Sequence, residues 1–328
     1  VPLYVEELTK MVLASPLLRE EVSRQYVLTG PLRAMAIPDT LQDALMARLD
    51  QLPAAKEVAQ LAAVVGREFT YDLVQSIAAQ DEATLQTGLA QLVAAELLYQ
   101  RGRPPRARYV FKHALIQDAA YASLLKTTRQ QVHRRIAQVL EAQFPEIVGT
   151  QPELLAHHLT EAGHHAQAVG YWQRAGERAV ARSANLEAIS HLKTGLAVLQ
   201  TLPETAERNQ RELLLQVTLG PALTNTKGFA APEVEQAYAR ARILCESVSE
   251  APQRFSVLRG LWQFYNGRGT YQTARELGEQ CLQLAQEGHD SSRLVEGYHA
   301  LWTTDLLTGE LARARAHMEQ GLALYDPQ

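Results

Sequence analysis

The sequence predicts a predominantly all-α protein, with one small β-hairpin in its first half and a helical solenoid in its second. Three observations predict it. Ala, Leu, Gln and Glu abound and only 6% of the 328 residues are aromatic, a composition that favours helices. Two β-prone runs flank a Gly/Pro/Arg tip at 97–111, the strongest hairpin pattern in the chain. From Pro152 onward the pattern is helical throughout, and the stretch 261–285 recurs at 301–325.

The elements follow in order. Leu3, Val5, Leu8, Met11 and Val12 lie on one helical face, so residues 1–14 read as a helix. The Pro/Gly-punctuated stretch 23–38 has a short β-like centre at Tyr26–Leu28. Asp39 can cap a helix carrying Leu41, Leu45, Leu49 and Leu52. Pro53 suits the first turn of the next helix and Gly66 its end. A short helix around Tyr71–Ala78 precedes one over 81–98, with Asp81 as N-cap and Glu82 near the positive end of the helix dipole. The hairpin strands are Leu97–Gln100 and Arg108–Phe111. Helix resumes at His113 and runs, with a break near Thr127, to about Gln143. Three short helices followed by a hairpin is the order of a winged helix, expected here over 37–148.

The second half repeats. At an offset of 40 residues Leu261-Trp262 matches Leu301-Trp302, Gly269 matches Gly309, Ala274 matches Ala314, and Leu282 and Leu284 match Leu322 and Leu324. Ala188, Gly195 and Leu196 echo the spacing of Ala314, Gly321 and Leu322. Small residues at fixed places let paired helices approach, and such a pair buries its apolar face only by stacking on its neighbours. The expectation is a tetratricopeptide-type α-solenoid over 149–328, its period longer than the usual ~34 residues. Trp172, Trp262, Tyr265, Tyr298 and Trp302 are expected mainly in its core, some of them lining a concave groove.

Charge and cysteine content bound the function. A net charge of −4 gives no global pull towards nucleic acid or anionic lipid. No apolar run approaches the ~18 residues of a membrane span, so no membrane partner is expected. Cys245 and Cys281 are isolated thiols rather than a disulfide framework, which suits a reducing, cytoplasmic compartment.

The segments "VPLYVEELTK", "IPDTLQDALMARLDQLP", "VFKHALIQDAAYASLL" and "ELLAHHLTEAGHHAQAVGYWQRAG" carry a family resemblance. Over its whole length the chain resembles the C-terminal half of large bacterial signalling proteins. These combine a class III adenylate/guanylate cyclase or other output domain, a STAND-type AAA-like ATPase, and tetratricopeptide repeats. In them "GNPLYVEEL" closes the ATPase, and here Val1 occupies the Asn position. The resemblance implies that the chain begins inside that motif, that 1–36 is the remnant of an ATPase helical lid, and that an ATPase domain lies upstream in cis.

It also implies two site residues. Pro2 matches the Pro of a Gly-x-Pro motif that packs on adenine in related nucleotide switches; the plainer reading is Pro at a helix start. His113 matches the His of a Met-His-Asp-like motif that reaches the ADP phosphate, although Phe111-Lys112-His113-Ala114 lacks its Met and Asp. The plainer reading is a His that caps or packs at a helix start. ATP or ADP with Mg is thus implied for the intact parent, and no cofactor for this chain.

Other constellations carry less. The four histidines of 156–165 lack a His-Glu-x-x-His pattern or nearby Cys and read as helix-surface residues, with Gly163 breaking the helix before His164 and His165. No metal site is expected. Arg101, Arg103, Arg106 and Arg108 form a basic hairpin tip: a solvated loop, a docking point for the ATPase, or a contact for DNA phosphates. The helix over 81–98 has no Lys or Arg to reach bases, so nucleic acid is not the expected partner. Arg129, Arg134 and Arg135 read as the polar face of an amphipathic helix. No phosphate-cradling Gly-x4-Gly-Lys-Ser/Thr loop and no Ser/His/Asp or Cys/His arrangement stands out, so no catalytic residue is assigned and the chain by itself is not expected to be an enzyme. The expected function is a regulatory, protein-binding segment of a cyclase-linked signalling ATPase. The alternative is part of an ATPase-type transcriptional regulator that binds DNA through the winged helix or another domain.

Overall fold

The computed structural model describes residues 41–248 and 252–324, the short stretches 18–20 and 26–28, and Val5 and Thr9. Most of the predicted 1–14 helix, Pro2 and the Asp39 cap lie outside the described residues. The β-like centre at Tyr26–Leu28 is a strand (β2) that pairs antiparallel with β1, Leu18–Glu20, which no sequence pattern announced. The chain divides into two compact units at Glu146–Ile147, with residues 161–163 counted to the first.

In the first unit α1 (Leu41–Asp50) and α2 (Pro53–Val65) form as expected, with Pro53 in the first turn and Gly66 at the end of α2. The buried side of α2, with Val58, Ala59 and Ala62, packs against α4 (Glu82–Ala94), which buries Leu85, Leu89 and Leu92, and against α5 (Ala114–Ala122), which buries Ile116. Asp81 caps α4 by accepting from the Thr84 N–H at 3.0 Å. Between α2 and the short α3 (Tyr71–Ile77) lies a strand the periodicity missed, β3 (Glu68–Thr70). Three residues are too few to show alternation. It joins β4 (Leu98–Arg101) and β5 (Arg108–Phe111) in an antiparallel sheet of order β3-β5-β4. The sheet turns Phe69, Tyr109 and Phe111 into the core, with Phe69 stacked on Tyr109 at 5.6 Å.

The break predicted near Thr127 falls earlier. Helix α5 ends at Ala122, where the Ser123 hydroxyl donates to the Ala120 carbonyl at 2.6 Å, and α6 runs over Lys126–Gln143. A serine that bonds back to the preceding turn competes with helix propagation.

The second unit is helical throughout its described residues: α7 (Pro145–Thr150, which begins in the first unit), α8 (Pro152–Glu161), α9 (His165–Ala181), α10 (Asn185–Gln200), α11 (Ala206–Lys227), α12 (Pro232–Ser247), α13 (Arg254–Gly267), α14 (Tyr271–Glu287), α15 (Ser291–Leu307) and α16 (Leu311–Ala323). From α9 onward each helix packs on the next, and α9, α11, α13 and α15 also pack in series. They form one layer of a two-layer solenoid, with α10, α12, α14 and α16 in the other. The paired glycines Gly269 and Gly309 end α13 and α15 with φ of +75° and +81°, a left-handed C-terminal conformation that glycine adopts without strain.

Gly163, φ +81°, separates α8 from α9 as expected. One expectation fails: of the four clustered histidines, His157 is exposed but His158 is fully buried. It lies on the same face of α8 as buried Leu155 and Leu159, at i, i+3 and i+4, so the helix cannot bury its leucines without it.

Candidate functional site

The candidate site is a groove of about 520 Å³ on the α11/α13/α15 layer. Its floor follows from two glycines. A Cβ at Gly220 of α11 or Gly260 of α13 would overlap the ring of Tyr238. The ring can therefore push up from α12 between the two helices. Tyr238 is 5% exposed, and burial pushes its hydroxyl up to about 12, against the opposing pull of Arg259.

The wall is polar. Arg259 of α13 pairs with Glu296 of α15 at 2.8 Å, bridging consecutive helices of the layer. Arg259, Gln263 and Asn266 fall at i, i+4 and i+7 and so share one face of α13. Arg259 and Gln263 line the groove; Asn266 lies beyond its lining, and its buried Oδ1 has no hydrogen-bond partner among the described residues. A buried amide carbonyl without a donor is costly in a folded chain. Thr224 and Asn225 from α11 face them, and Phe229, half exposed, stands at one end. Forty residues after Arg259, at the equivalent position of α15, is His299. It lies edge-on to Trp262 at 5.5 Å and to Trp302 at 5.1 Å. Burial, and then the Arg259 guanidinium, push its pKa down. The arrangement offers hydrogen-bond donors and acceptors, an ion pair and aromatic surface in an open channel. It can hold an extended polar segment, and no nucleophile–base pair is built into it among the described residues.

Of the residues singled out from sequence, His113 stands at the N-cap of α5 and its side chain makes no cap hydrogen bond, so of the plainer reading capping fails and local packing remains. Its Nε2 is buried and has no partner among the described residues. The arginine tip is exposed at Arg101, Arg103, Arg106 and Arg108, and Arg108 meets Glu68 at 3.7 Å. His113 and the tip lie in the first unit and the groove in the second, so these are separate features. Trp262 and Trp172 are buried as expected. Sequence reasoning missed the Tyr238 floor. The signal was present: Gly220 precedes Gly260 by the same 40 residues that relate the two clear repeats. No helix among the described residues is long and apolar enough to cross a membrane.

No family model matches the chain. An uncharacterized protein of Rhizobium meliloti (strain 1021) is 27% identical over 332 residues, covering 99% of this chain and 31% of that protein. The chain thus spans about a third of the length of this curated relative. Among solved structures, the nearly identical TPR-like repeats from Podosopora anserina are similar to 60% of this chain and 92% of that one, with 20% identity and a TM-score of 0.45. A STAND protein with a tetratricopeptide repeat sensor from Pyrococcus horikoshii is similar to 88% of this chain and 53% of that one, with 9% identity and a TM-score of 0.42.

Proposed function

We propose that the chain is a protein-interaction segment whose solenoid groove holds an extended peptide of a partner. The observation that carries this reading is the polar lining of the channel, where Arg259 and Gln263 of α13 and Thr224 and Asn225 of α11 offer side-chain donors and acceptors to a peptide backbone. The test is binding of the chain to an array of extended peptides, beside Gln263→Ala and Asn225→Ala variants. The wild type is expected to select a set of peptides that both variants bind at least about tenfold more weakly, the cost of a buried hydrogen bond left unmade. The same set bound equally by the variants would remove the groove from the function.

The motif resemblance extends this to the intact parent, a multidomain signalling ATPase with a cyclase as its output domain. In that reading the helix–hairpin unit is a winged helix that couples the solenoid to an upstream nucleotide site, and partner binding shifts an ADP-held closed state towards an open one. The unpartnered Nε2 of His113 supports a role beyond the chain's own contacts. Calorimetric titration of ADP with Mg²⁺ into the chain extended upstream through the ATPase tests it. His113→Ala is expected to weaken ADP binding, and unchanged affinity makes His113 structural. The second reading, a transcriptional regulator, draws on the exposed arginine hairpin and is decided by the next experiment.

A further inference from the structure

We propose that the β4–β5 hairpin is a docking surface for a compact acidic patch on a protein. The sheet register sets which side chains share a face. Arg101 pairs with Arg108, and Tyr99 with Val110, while Leu98 and Phe111 pair on the opposite face and are buried. Arg101, Arg108 and Tyr99 therefore project together away from the core, and Tyr99 is 54% exposed. Arg103 and Arg106 extend the same cluster at the tip, both exposed. Two arginines directly opposite across a strand pair repel each other. The nearest relief is a single carboxylate, Glu68 against Arg108 at 3.7 Å; Arg101, Arg103 and Arg106 have no ion pair among the described residues.

The chain's other arginine-rich stretch differs in this respect. The Arg129 guanidinium sits 4.9 Å over the Tyr121 ring, and Arg135 donates to the Ala78 carbonyl at 3.1 Å. Those cations hold their own unit together, whereas the hairpin set is left facing outward. An arginine fork binds a carboxylate through two parallel hydrogen bonds, and an exposed tyrosine beside it adds apolar contact.

Charge around the hairpin decides against a long phosphate polymer. Outside the tip, residues 41–146 carry eight basic and eleven acidic side chains, and the α4 N-terminus presents Asp81 and Glu82 with no cation in the helix. A duplex laid along the hairpin would run from four cations into net negative charge, so affinity from counterion release would be confined to the tip. A small cluster of Asp and Glu side chains on a folded protein matches the cluster's extent.

The experiment is fluorescence anisotropy of a labelled short polyglutamate peptide of about five residues, matched to the extent of the cluster, and of a labelled 20-base-pair duplex, each titrated with the chain at low and high salt. The triple variant Arg101→Gln, Arg103→Gln, Arg106→Gln alters only exposed side chains, and its circular dichroism confirms the fold. Polyglutamate is expected to bind, to weaken roughly tenfold in the triple variant, and to weaken again with salt. The duplex is expected to bind less tightly. No polyglutamate binding, or binding untouched by the variant, overturns the proposal. Tighter, variant-sensitive binding of the duplex overturns it in favour of nucleic acid.

Discussion

The ring of Tyr238 occupies the space that a β-carbon of Gly260 would fill, and the next repeat writes the same contact in reverse. Forty residues on, Gly278 stands where Tyr238 stood and Ala300 where Gly260 stood. A Cβ placed on Gly278 lies 3.4 Å from that of Ala300. Bulk has moved from one helix of the contact to the other while the helices stay packed. The large residue in the first case also forms the floor of the candidate groove.

This exchange predicts a non-additive mutant pair. Gly260→Ala gains helix propensity of about 1 kcal/mol but overpacks a closed contact, at about 1–3 kcal/mol, so the net effect is destabilising. Tyr238→Gly removes a buried ring and costs more, on the order of 3–5 kcal/mol. Together they recreate the Gly278/Ala300 solution. Urea unfolding of the four proteins in a mutant cycle is expected to show the double variant more stable than the sum of the singles. A strictly additive result would mean that the two sites relax independently.

A buried acid ties together the last helices. Asp305 of α15 is 1% exposed, and it meets Arg275 of α14 at 3.1 Å and His317 Nδ1 of α16 at 2.9 Å. Removing one member of a buried pair leaves the other charge uncompensated, a loss of about 3–5 kcal/mol when burial is complete. Arg275 and His317 keep some exposure, so Asp305→Ala is expected at the lower end of that range. The same substitution at Glu319, on the surface of α16 with Arg315, is expected to leave stability almost unchanged, because solvent screens an exposed pair. Equal effects in thermal unfolding would show that the Asp305 cluster holds no more than a surface pair.

The Trp262 indole donates to the Thr304 hydroxyl at 3.0 Å, and that hydroxyl donates to the Ala300 carbonyl at 2.8 Å. Trp172 makes the same bond to Thr160 at 3.0 Å. Thr304→Val keeps shape and leaves the indole N–H without an acceptor inside the core, at about 1–3 kcal/mol. Thr304→Ser keeps the bond and is expected to be milder. Their order in urea unfolding separates a hydrogen-bonding role from one of volume.

How much of this was legible in the sequence depended on period and length. The solenoid was readable because Leu261-Trp262 and Gly269 recur together in the next copy, and the helix ends at Gly66 and Asp81 followed from residue chemistry. Strand β3 was hidden because three residues carry no period. The earlier repeat was hidden because Tyr238 replaces a small residue and Pro221 replaces a leucine, masking the identity that geometry preserves. The groove was illegible for a related reason: its lining is gathered from α11, α12, α13 and α15, and sequence does not show which side chains of separate helices meet.

The two thiols are expected to differ from free cysteine. Burial pushes Cys281 up to about 12 and also raises half-buried Cys245. The thiolate is the reactive form, so both hold less of it at pH 8 than an exposed cysteine. A disulfide reagent is expected to label Cys245 slowly in the folded chain and Cys281 only in urea. Fast labelling of Cys281 without denaturant would mean that the packing around α14 opens readily.

His299 gives the solenoid a predicted acid sensitivity. Its folded pKa lies below the ordinary histidine value, first through burial and then through the Arg259 guanidinium, with Glu296 opposing. Above about pH 6.5 the ring is neutral in the folded and unfolded chains alike. As pH falls through that value the unfolded chain takes up the proton first. Unfolding then gains protons, so stability declines from about pH 6.5 down to the folded pKa and levels off below it. His299→Gln removes this linkage but leaves the other histidines titrating. Unfolding free energies measured from pH 7.5 to 5 should fall more for the wild type than for His299→Gln. The excess should shrink when Arg259→Gln removes the neighbouring cation. If the two pH profiles run parallel, the ring between Trp262 and Trp302 takes up its proton without cost, and its place beside Arg259 does not govern its charge.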